Sequence, residues 1–280
     1  MKKTRGIASG NIGCGKDVFI IAEIGINHNG NINIAKQLID KAAWAGADAV
    51  KLQTYITEKR VAKDSPVFGI LKQCELEFKQ QEELFKYARD KKMTIFSTPF
   101  DDESVDFLAS IGAPFYKIAS FDIVNRKLLG KVAKQARPVI MSRGMADQEE
   151  LDEAVGIMRR HACDIVILHC VSAYPVPSHT CLNLETIRAL KERYCCPVGF
   201  SDHTLGIEAS KYAVASGARV VEKHFTLSRK NKGPDHALST EPEEFKDMVK
   251  GIRIAAEMLG EAVWSPVPAE KDILQYRRAS

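Results

Sequence analysis

Val198-Gly199-Phe200-Ser201-Asp202-His203-Thr204, then Ile207–Ser216, then Arg219-Val220-Val221-Glu222-Lys223-His224-Phe225: this stretch decides the fold. Its first and last pieces are short apolar, β-branched runs that turn polar at their C-terminal ends. The piece between carries apolar residues at three- and four-residue spacing, the pattern of a helix with one buried face. The same pairing recurs along the chain. Strand-like runs stand at Phe19–Ile24, Ala49–Gln53, Thr94–Thr98, Phe115–Ala119, Pro138–Ser142, Asp164–His169, Val198–Ser201 and Arg219–Phe225. Helical stretches follow each in turn, at Ile34–Ala45, Gln80–Lys91, Asp102–Ile111, Lys127–Gln135, Gln148–His161, Leu184–Tyr194, Ile207–Ser216 and Pro242–Leu259.

Local chemistry marks the helix ends. Asp101 and Asp147 suit N-caps, Thr240-Glu241-Pro242-Glu243 reads as a capping box with proline in the first turn, and Gly46, Gly112 and Gly217 stand where helices should stop. Eight strand–helix units in strict alternation predict a parallel sheet closed into a (β/α)8 TIM barrel. A doubly wound open sheet is the alternative. It is disfavoured because no GxGxxG opens the first helix and the reactive residues come from many strands.

The barrel is expected over residues 19–260 of the 280. Residues 1–18, rich in glycine, are expected to form a hairpin-like extension closing the barrel bottom, and residues 261–280, with two prolines (Pro266 and Pro268) and a basic end, a linker-like tail. Ile56–Lys79 and Thr226–Ser239 are long loops, and loops beyond about 12–15 residues are usually functional or disordered.

Forty basic and 36 acidic residues are scattered without a like-sign run, so nothing points to nucleic acid. Seven cysteines, an odd number with no CxxC pair, read as reduced thiols. No apolar h-region follows Met1, and no apolar stretch reaches the roughly 18–20 residues of a membrane span. A cytoplasmic protein is expected.

In barrel enzymes the chemistry sits at the C-terminal ends of the strands. Polar groups collect there on all eight: Glu23, Lys51-Leu52-Gln53, Ser97-Thr98, Lys117 with Ser120, Ser142-Arg143-Gly144, His169 followed by Ser172 and Tyr174, Ser201-Asp202-His203, and Glu222-Lys223-His224. Residues two apart share a face, which pairs Lys51 with Gln53, Ser201 with His203 and Glu222 with His224. A lysine inside a packed barrel costs several kcal/mol unless it meets an anion. For Lys51 and Lys117 that anion is either a bound phosphate or carboxylate, or a neighbouring glutamate. His203 and His224, on consecutive strands near one level, suit a shared divalent ion completed by oxygen ligands, Mn2+, Zn2+ or Fe2+. His169 is either a ligand or a satisfied core histidine. In the eighth loop, Asp235 is either a lid carboxylate or a turn residue.

Phe19-Ile20-Ile21-Ala22-Glu23-Ile24-Gly25-Ile26-Asn27-His28-Asn29-Gly30 resembles the opening signature of the sialic acid synthases. Lys51–Tyr55, Ser97–Asp101, Tyr116–Ser120, Gly199–Thr204 and Glu222–Thr226 resemble that family's later motifs, in its order and over nearly the whole chain. The resemblance implies an enzyme that condenses phosphoenolpyruvate with N-acetylmannosamine or a related N-acyl amino sugar. Its products are sialic, legionaminic or pseudaminic-type nonulosonic acids. By motif match, Lys51, Thr98, Lys117, Ser120, Ser172 and Ser201 hold phosphoenolpyruvate, His203 and His224 bind Mn2+ or a similar ion, and Glu23, Gln53, Tyr174 and Asp235 contact the sugar. Glu23 or Glu222 moves protons.

Two departures stand out: Ser172 where many members carry asparagine, and Ser142-Arg143-Gly144 where Ser-Thr-Gly is usual. Members also continue into a small antifreeze-like domain, which reaches across a homodimer and supplies an arginine to the N-acyl group; this sequence stops at Arg277-Arg278-Ala279-Ser280. Two other readings remain open. A phosphorylated acceptor, as in condensations of the Kdo type, would call on Arg143 or Arg229-Lys230 for extra positive charge. A ligand-binding barrel with little turnover would have no need of the lysines, histidines and carboxylates.

Overall fold

A computed structural model describes residues 17–278. Eight strands run through it: β1 Phe19–Gly25, β2 Ala49–Thr54, β3 Thr94–Pro99, β4 Tyr116–Ile118, β5 Val139–Ser142, β6 Ile165–Cys170, β7 Val198–Asp202 and β8 Val220–His224. They pair in parallel in chain order, and β8 returns to β1 from Phe19↔Val220 to Glu23↔His224. That last pairing closes the barrel and excludes the open sheet.

The helices are α1 Ile32–Ala45, α2 Thr57–Arg60, α3 Phe68–Cys74, α4 Phe78–Asp90, α5 Asp102–Ser110, α6 Arg126–Ala133, α7 Gln148–Arg160, α8 Glu185–Tyr194, α9 Glu208–Ala215 and α10 Pro242–Leu259. Their apolar faces pack on the outside of the sheet, where Leu38, Leu84, Leu108 and Ile187 are fully buried. Each such side chain taken out of water contributes about 1.5–3 kcal/mol. Asp101 caps α5 through Ser104 N (2.8 Å), and its other oxygen accepts from Ile56 N (2.8 Å), tying the second loop to the third. Asp147 and Glu150 form a reciprocal capping box on α7. Gly46, Gly112 and Gly217 follow helix ends with positive φ, as expected.

Several expectations need correction. The capping box at Thr240 does not form: Glu241 stands at the cap of α10 without a side-chain bond, because the Thr240 hydroxyl donates to His224 O (2.8 Å). Thr240 N donates to the same carbonyl, so the residue extends the sheet edge beyond β8. The second loop, Ile56–Lys79, is not structureless; it holds α2 and α3 and ends inside α4. The eighth loop contains a 3-10 turn, His236–Leu238. The tail carries a 3-10 helix, Pro268–Tyr276, with no buried residue. The expected hairpin over residues 1–18 lies outside the described residues apart from Asp17 and Val18. No helix of the described residues is long and apolar enough to cross a membrane.

Strand periodicity builds the barrel interior in tiers. Phe19, Ile21, Ala49, Phe96, Phe115, Ile140, Val166, Leu168 and Val220 form a separate apolar plug. Two residues further along the strands the inward side chains become Glu23, Lys51, Thr98, Lys117, Ser142, Cys170 and Glu222. The plug is therefore the floor on which a charged tier rests.

Candidate active site

Above that floor lies a cavity of about 580 Å³, within the range of small-molecule sites. Lys51 Nζ stands 2.8 Å from Glu23 Oε2 and 3.1 Å from Glu222 Oε2. Lys117 Nζ donates to Ser142 Oγ (2.7 Å) and Ile118 O (3.2 Å) and lies 3.7 Å from Glu222 Oε1. Ser201 Oγ donates to the same Glu222 oxygen at 2.9 Å. Of the two solutions open to the buried lysines, the glutamates supply the compensation.

The charges are not shared evenly. Burial works against the Glu222 carboxylate, but Lys117 and Lys51 outweigh it and hold the group down to about 2. Glu23 is the second carboxylate on one lysine. Burial lifts it to about 7, against the pull of Lys51 and with the push of Glu222. Burial disfavours the Lys51 ammonium, yet Glu222 and then Glu23 turn the balance, and its pKa is raised. Lys117, with no close carboxylate of its own, is lowered by burial to about 8.

His203 and His224 stand one tier higher, ring centroids 5.7 Å apart. His203 Nδ1 lies 2.8 Å from Val171 O, which assigns the proton to Nδ1 and leaves the Nε2 lone pair toward Ser201 Oγ at 3.4 Å. His224 Nδ1 is buried without a hydrogen-bond partner among the described residues and lies 3.7 Å from Asp235 Oδ2. Burial first, then His224, pushes His203 down to about 4; burial first, then Lys51, pushes His224 down to about 3. Both rings are therefore neutral. A neutral imidazole pair, one oriented by a carbonyl and one with an orphaned nitrogen, fits the donor set for a divalent ion. Among the described residues no group of three or more His, Cys, Asp or Glu side chains converges, so water or substrate oxygens would complete the coordination.

Behind the rings, the outward-facing Asp202 and Lys223 pair at 3.0 Å. Asp202 accepts from Thr204 N (2.9 Å), Thr204 Oγ1 (2.7 Å) and Ser210 Oγ (2.6 Å), while Lys223 Nζ donates to Thr204 O (2.9 Å). The turn after His203 is thus held through both backbone groups of Thr204.

Gln53, Thr98, Ser120, Tyr174, Ser201 and Asp235 all line the cavity. Thr98 Oγ1 is buried with no partner among the described residues. The Tyr174 ring sits 4.2 Å from that of His203. Burial raises the Asp235 carboxyl against the pull of Arg60. Ser172, expected to hold phosphoenolpyruvate, is not among the lining residues; it donates to Ser120 Oγ at 2.9 Å. Gly144 makes this approach possible, since a Cβ there would lie 2.1 Å from Ser120 Cβ.

Other signals resolve into architecture. His169, on the outward parity of β6, bonds Leu182 O at 2.6 Å and is a core histidine. Asn27 Nδ2 donates to Phe225 O and Ser239 Oγ, both at 2.9 Å, so the Asn-His-Asn-Gly segment ties the first loop to the eighth. Neither Arg143 nor Arg229-Lys230 lines the cavity. Arg229 is committed to Glu241, Ser239 O and Glu244. Ser142 and Cys170, at strand ends but given no role from the sequence, line the cavity, as do Arg60, Phe100, Phe121 and Asp122, which were not anticipated there. Strand parity was a signal for the first two, while the others stand outside the strands, beyond the reach of parity.

Known proteins resemble this chain in sequence and in fold. An uncharacterized protein of Methanocaldococcus jannaschii is 47% identical over 96% of this chain and 80% of its own length. The N,N'-diacetyllegionaminic acid synthase of Campylobacter jejuni is 38% identical over 95% of this chain and 84% of its own. The crystal structure of an N-acetylneuraminic acid (sialic acid) synthetase from Leptospira borgpetersenii, in complex with citrate, superposes with a TM-score of 0.91 at 39% identity, covering 94% of this chain and 92% of that one. Residues 38–263 match the model of the NeuB family, and the chain belongs to that family.

Proposed function

We propose that this barrel condenses phosphoenolpyruvate with an N-acyl amino sugar of the N-acetylmannosamine type, giving a nonulosonic acid and inorganic phosphate. The observation that carries the reading is the tier of two ammonium and two carboxylate groups beneath a pair of neutral imidazoles, in one cavity at the C-terminal mouth. The relatives named as synthases of legionaminic and neuraminic acids support the product class.

Phosphoenolpyruvate brings two anionic groups. Lys51 and Lys117 supply the matching positive charge, and the hydroxyls of Thr98, Ser120 and Ser142 can donate to its oxygens, beside Ser201, whose own proton goes to Glu222. When bound at His203 and His224, a divalent ion, Mn2+ or a similar one, supplies Lewis-acid polarisation of the acceptor carbonyl. The C3 carbon of phosphoenolpyruvate forms the new bond to the sugar C1, and the aldehyde oxygen takes up a proton. Water adds at the C2 left electron-deficient by that bond and loses a proton; the C2–O bond to phosphate then breaks as the C2 hydroxyl becomes the carbonyl, its proton leaving with the phosphate. Glu23, lifted to about 7, is matched to giving the first proton and accepting the second. Glu222, held ionised by both lysines, serves as their fixed counter-charge. Gln53, Tyr174 and Asp235, higher in the cavity, face the sugar.

The test is phosphate release from phosphoenolpyruvate with N-acetylmannosamine and Mn2+, with the condensed acid identified by mass. Absence of release with every N-acyl hexosamine would defeat the proposal, and a clear preference for a pentose phosphate would move the enzyme to the Kdo type.

A further inference from the structure

We infer that Arg60 and the apolar wall beside it form a subsite for an N-acyl substituent of the acceptor, an inference that rests on the function proposed above. Arg60 closes α2, in the loop after β2. Its guanidinium carbon lies 3.7 Å from the Phe100 ring centroid and 4.6 Å from that of Tyr55, which fixes its plane. Nη1 donates to Gln53 Oε1 at 3.1 Å, and Gln53 Nε2 in turn reaches Glu23 Oε1 at 3.4 Å. A guanidinium has five N–H groups. Among the described residues Gln53 is the acceptor for one of them; no carboxylate stands within ion-pair distance, and Arg60 lines the cavity. The remaining donors are therefore available to an occupant.

The surroundings decide what that occupant is. Val67 and Ile70 line the same cavity and are 45% and 43% exposed, although they are large apolar side chains. An occupant that satisfies both must offer an acceptor oxygen and an adjacent alkyl group. Asp122 and Asp235 also line the cavity, and both act electrostatically on Arg60. They would repel a second anion but accept from an N–H. An acyl amide has a carbonyl oxygen for Arg60, an alkyl group for Val67 and Ile70, and an N–H for a carboxylate. An ionised phosphate group in the same place offers only acceptors, and its charge would face two aspartates. The amide fits.

The experiment compares the parent protein with Arg60→Ala and Arg60→Gln. Condensation kinetics and titration calorimetry in the presence of phosphoenolpyruvate are measured with N-acetylmannosamine, mannose and N-acetylmannosamine 6-phosphate. A hydrogen bond to a charged donor predicts that the parent favours N-acetylmannosamine over mannose by roughly ten- to hundredfold. Both variants should bring the N-acetyl sugar down to the level of mannose, with the affinity for phosphoenolpyruvate unchanged. An undiminished preference in both variants, or a loss confined to the 6-phosphate, overturns the subsite. Turnover with such a result would leave the proposed function standing and remove the subsite. Selective binding that depends on Arg60 without turnover would do the reverse.

Discussion

Asp202→Asn removes one charge from the pair that backs the two imidazoles and leaves the side-chain shape nearly unchanged. Asp202 is 0% exposed and Lys223 1%, so water cannot replace the lost partner. The remaining oxygen still accepts from Thr204, but Lys223 keeps only the Thr204 carbonyl and no counter-charge. Burial already presses the Lys223 ammonium down, with Asp202 opposing it. Breaking a buried pair from one side costs about 3–5 kcal/mol. At about 2–4 °C per kcal/mol for a chain of this size, the unfolding midpoint should fall by roughly 6–20 °C. Lys223→Met should cost less, because three donors still satisfy Asp202. The double variant should be less destabilised than the sum, with a coupling of about 0.5–3 kcal/mol. Denaturant unfolding followed by circular dichroism measures both quantities. Because Thr204 directly follows His203, a Mn2+ titration should also show affinity lowered by about ten- to hundredfold, as for other groups that orient a ligand. Asp202→Asn within about 0.5 kcal/mol of the parent, strict additivity and unchanged metal affinity would together refute the reasoning.

Three further outcomes follow from the same site. Lys117 is lowered to about 8 and, in its proposed role, must be charged to hold an anion, so kcat/KM for phosphoenolpyruvate should fall as pH rises through 8. Lys117→Arg, which stays protonated, should lose that alkaline limb even if its activity is low; a limb retained in the variant would assign the titration elsewhere. Gly144→Ala adds a Cβ 2.1 Å from Ser120 Cβ at a backbone φ of +50°. KM for phosphoenolpyruvate should rise about tenfold, with stability reduced by about 1–3 kcal/mol; a variant with parental kinetics would show that Ser120 has no part in binding. His203→Ala and His224→Ala should each abolish stoichiometric metal, measured by elemental analysis, while the far-ultraviolet circular dichroism is kept. Unchanged metal content would dismiss the imidazole pair as ligands.

The barrel was legible because closure imposes a strict local code. Each strand must alternate between the plug and the helical layer, as Phe19, Ile21 and Glu23 do against Ile20, Ala22 and Ile24. Each longer helix must keep one apolar stripe, and that stripe shows in sequence. Where the code lapses, so does the reading. The helices α2 and α3, of four and seven residues, are too short to display a period. Thr240 has every local attribute of a cap, but a carbonyl 16 residues earlier takes its hydroxyl. Only the closed sheet brings His224 O within reach.

Side-chain parity also explains which site residues were visible. Lys51, Lys117, Glu23, Glu222, His203 and His224 all lie on strands or directly beyond their ends, so sequence alone aims them inward. Parity says nothing of level around the axis, and level determines who compensates whom. Lys51 stands between carboxylates from β1 and β8, whereas Lys117 across the barrel shares only Glu222. One lysine facing two buried acids favours the ionised form of one over the other. Glu222, drawn by a second cation, keeps its charge, and Glu23 is left as the carboxyl that titrates near neutrality. The proton-handling role proposed for Glu23 therefore rests on an uneven sharing of cations around a closed ring, a property of the three-dimensional circuit that no single strand contains.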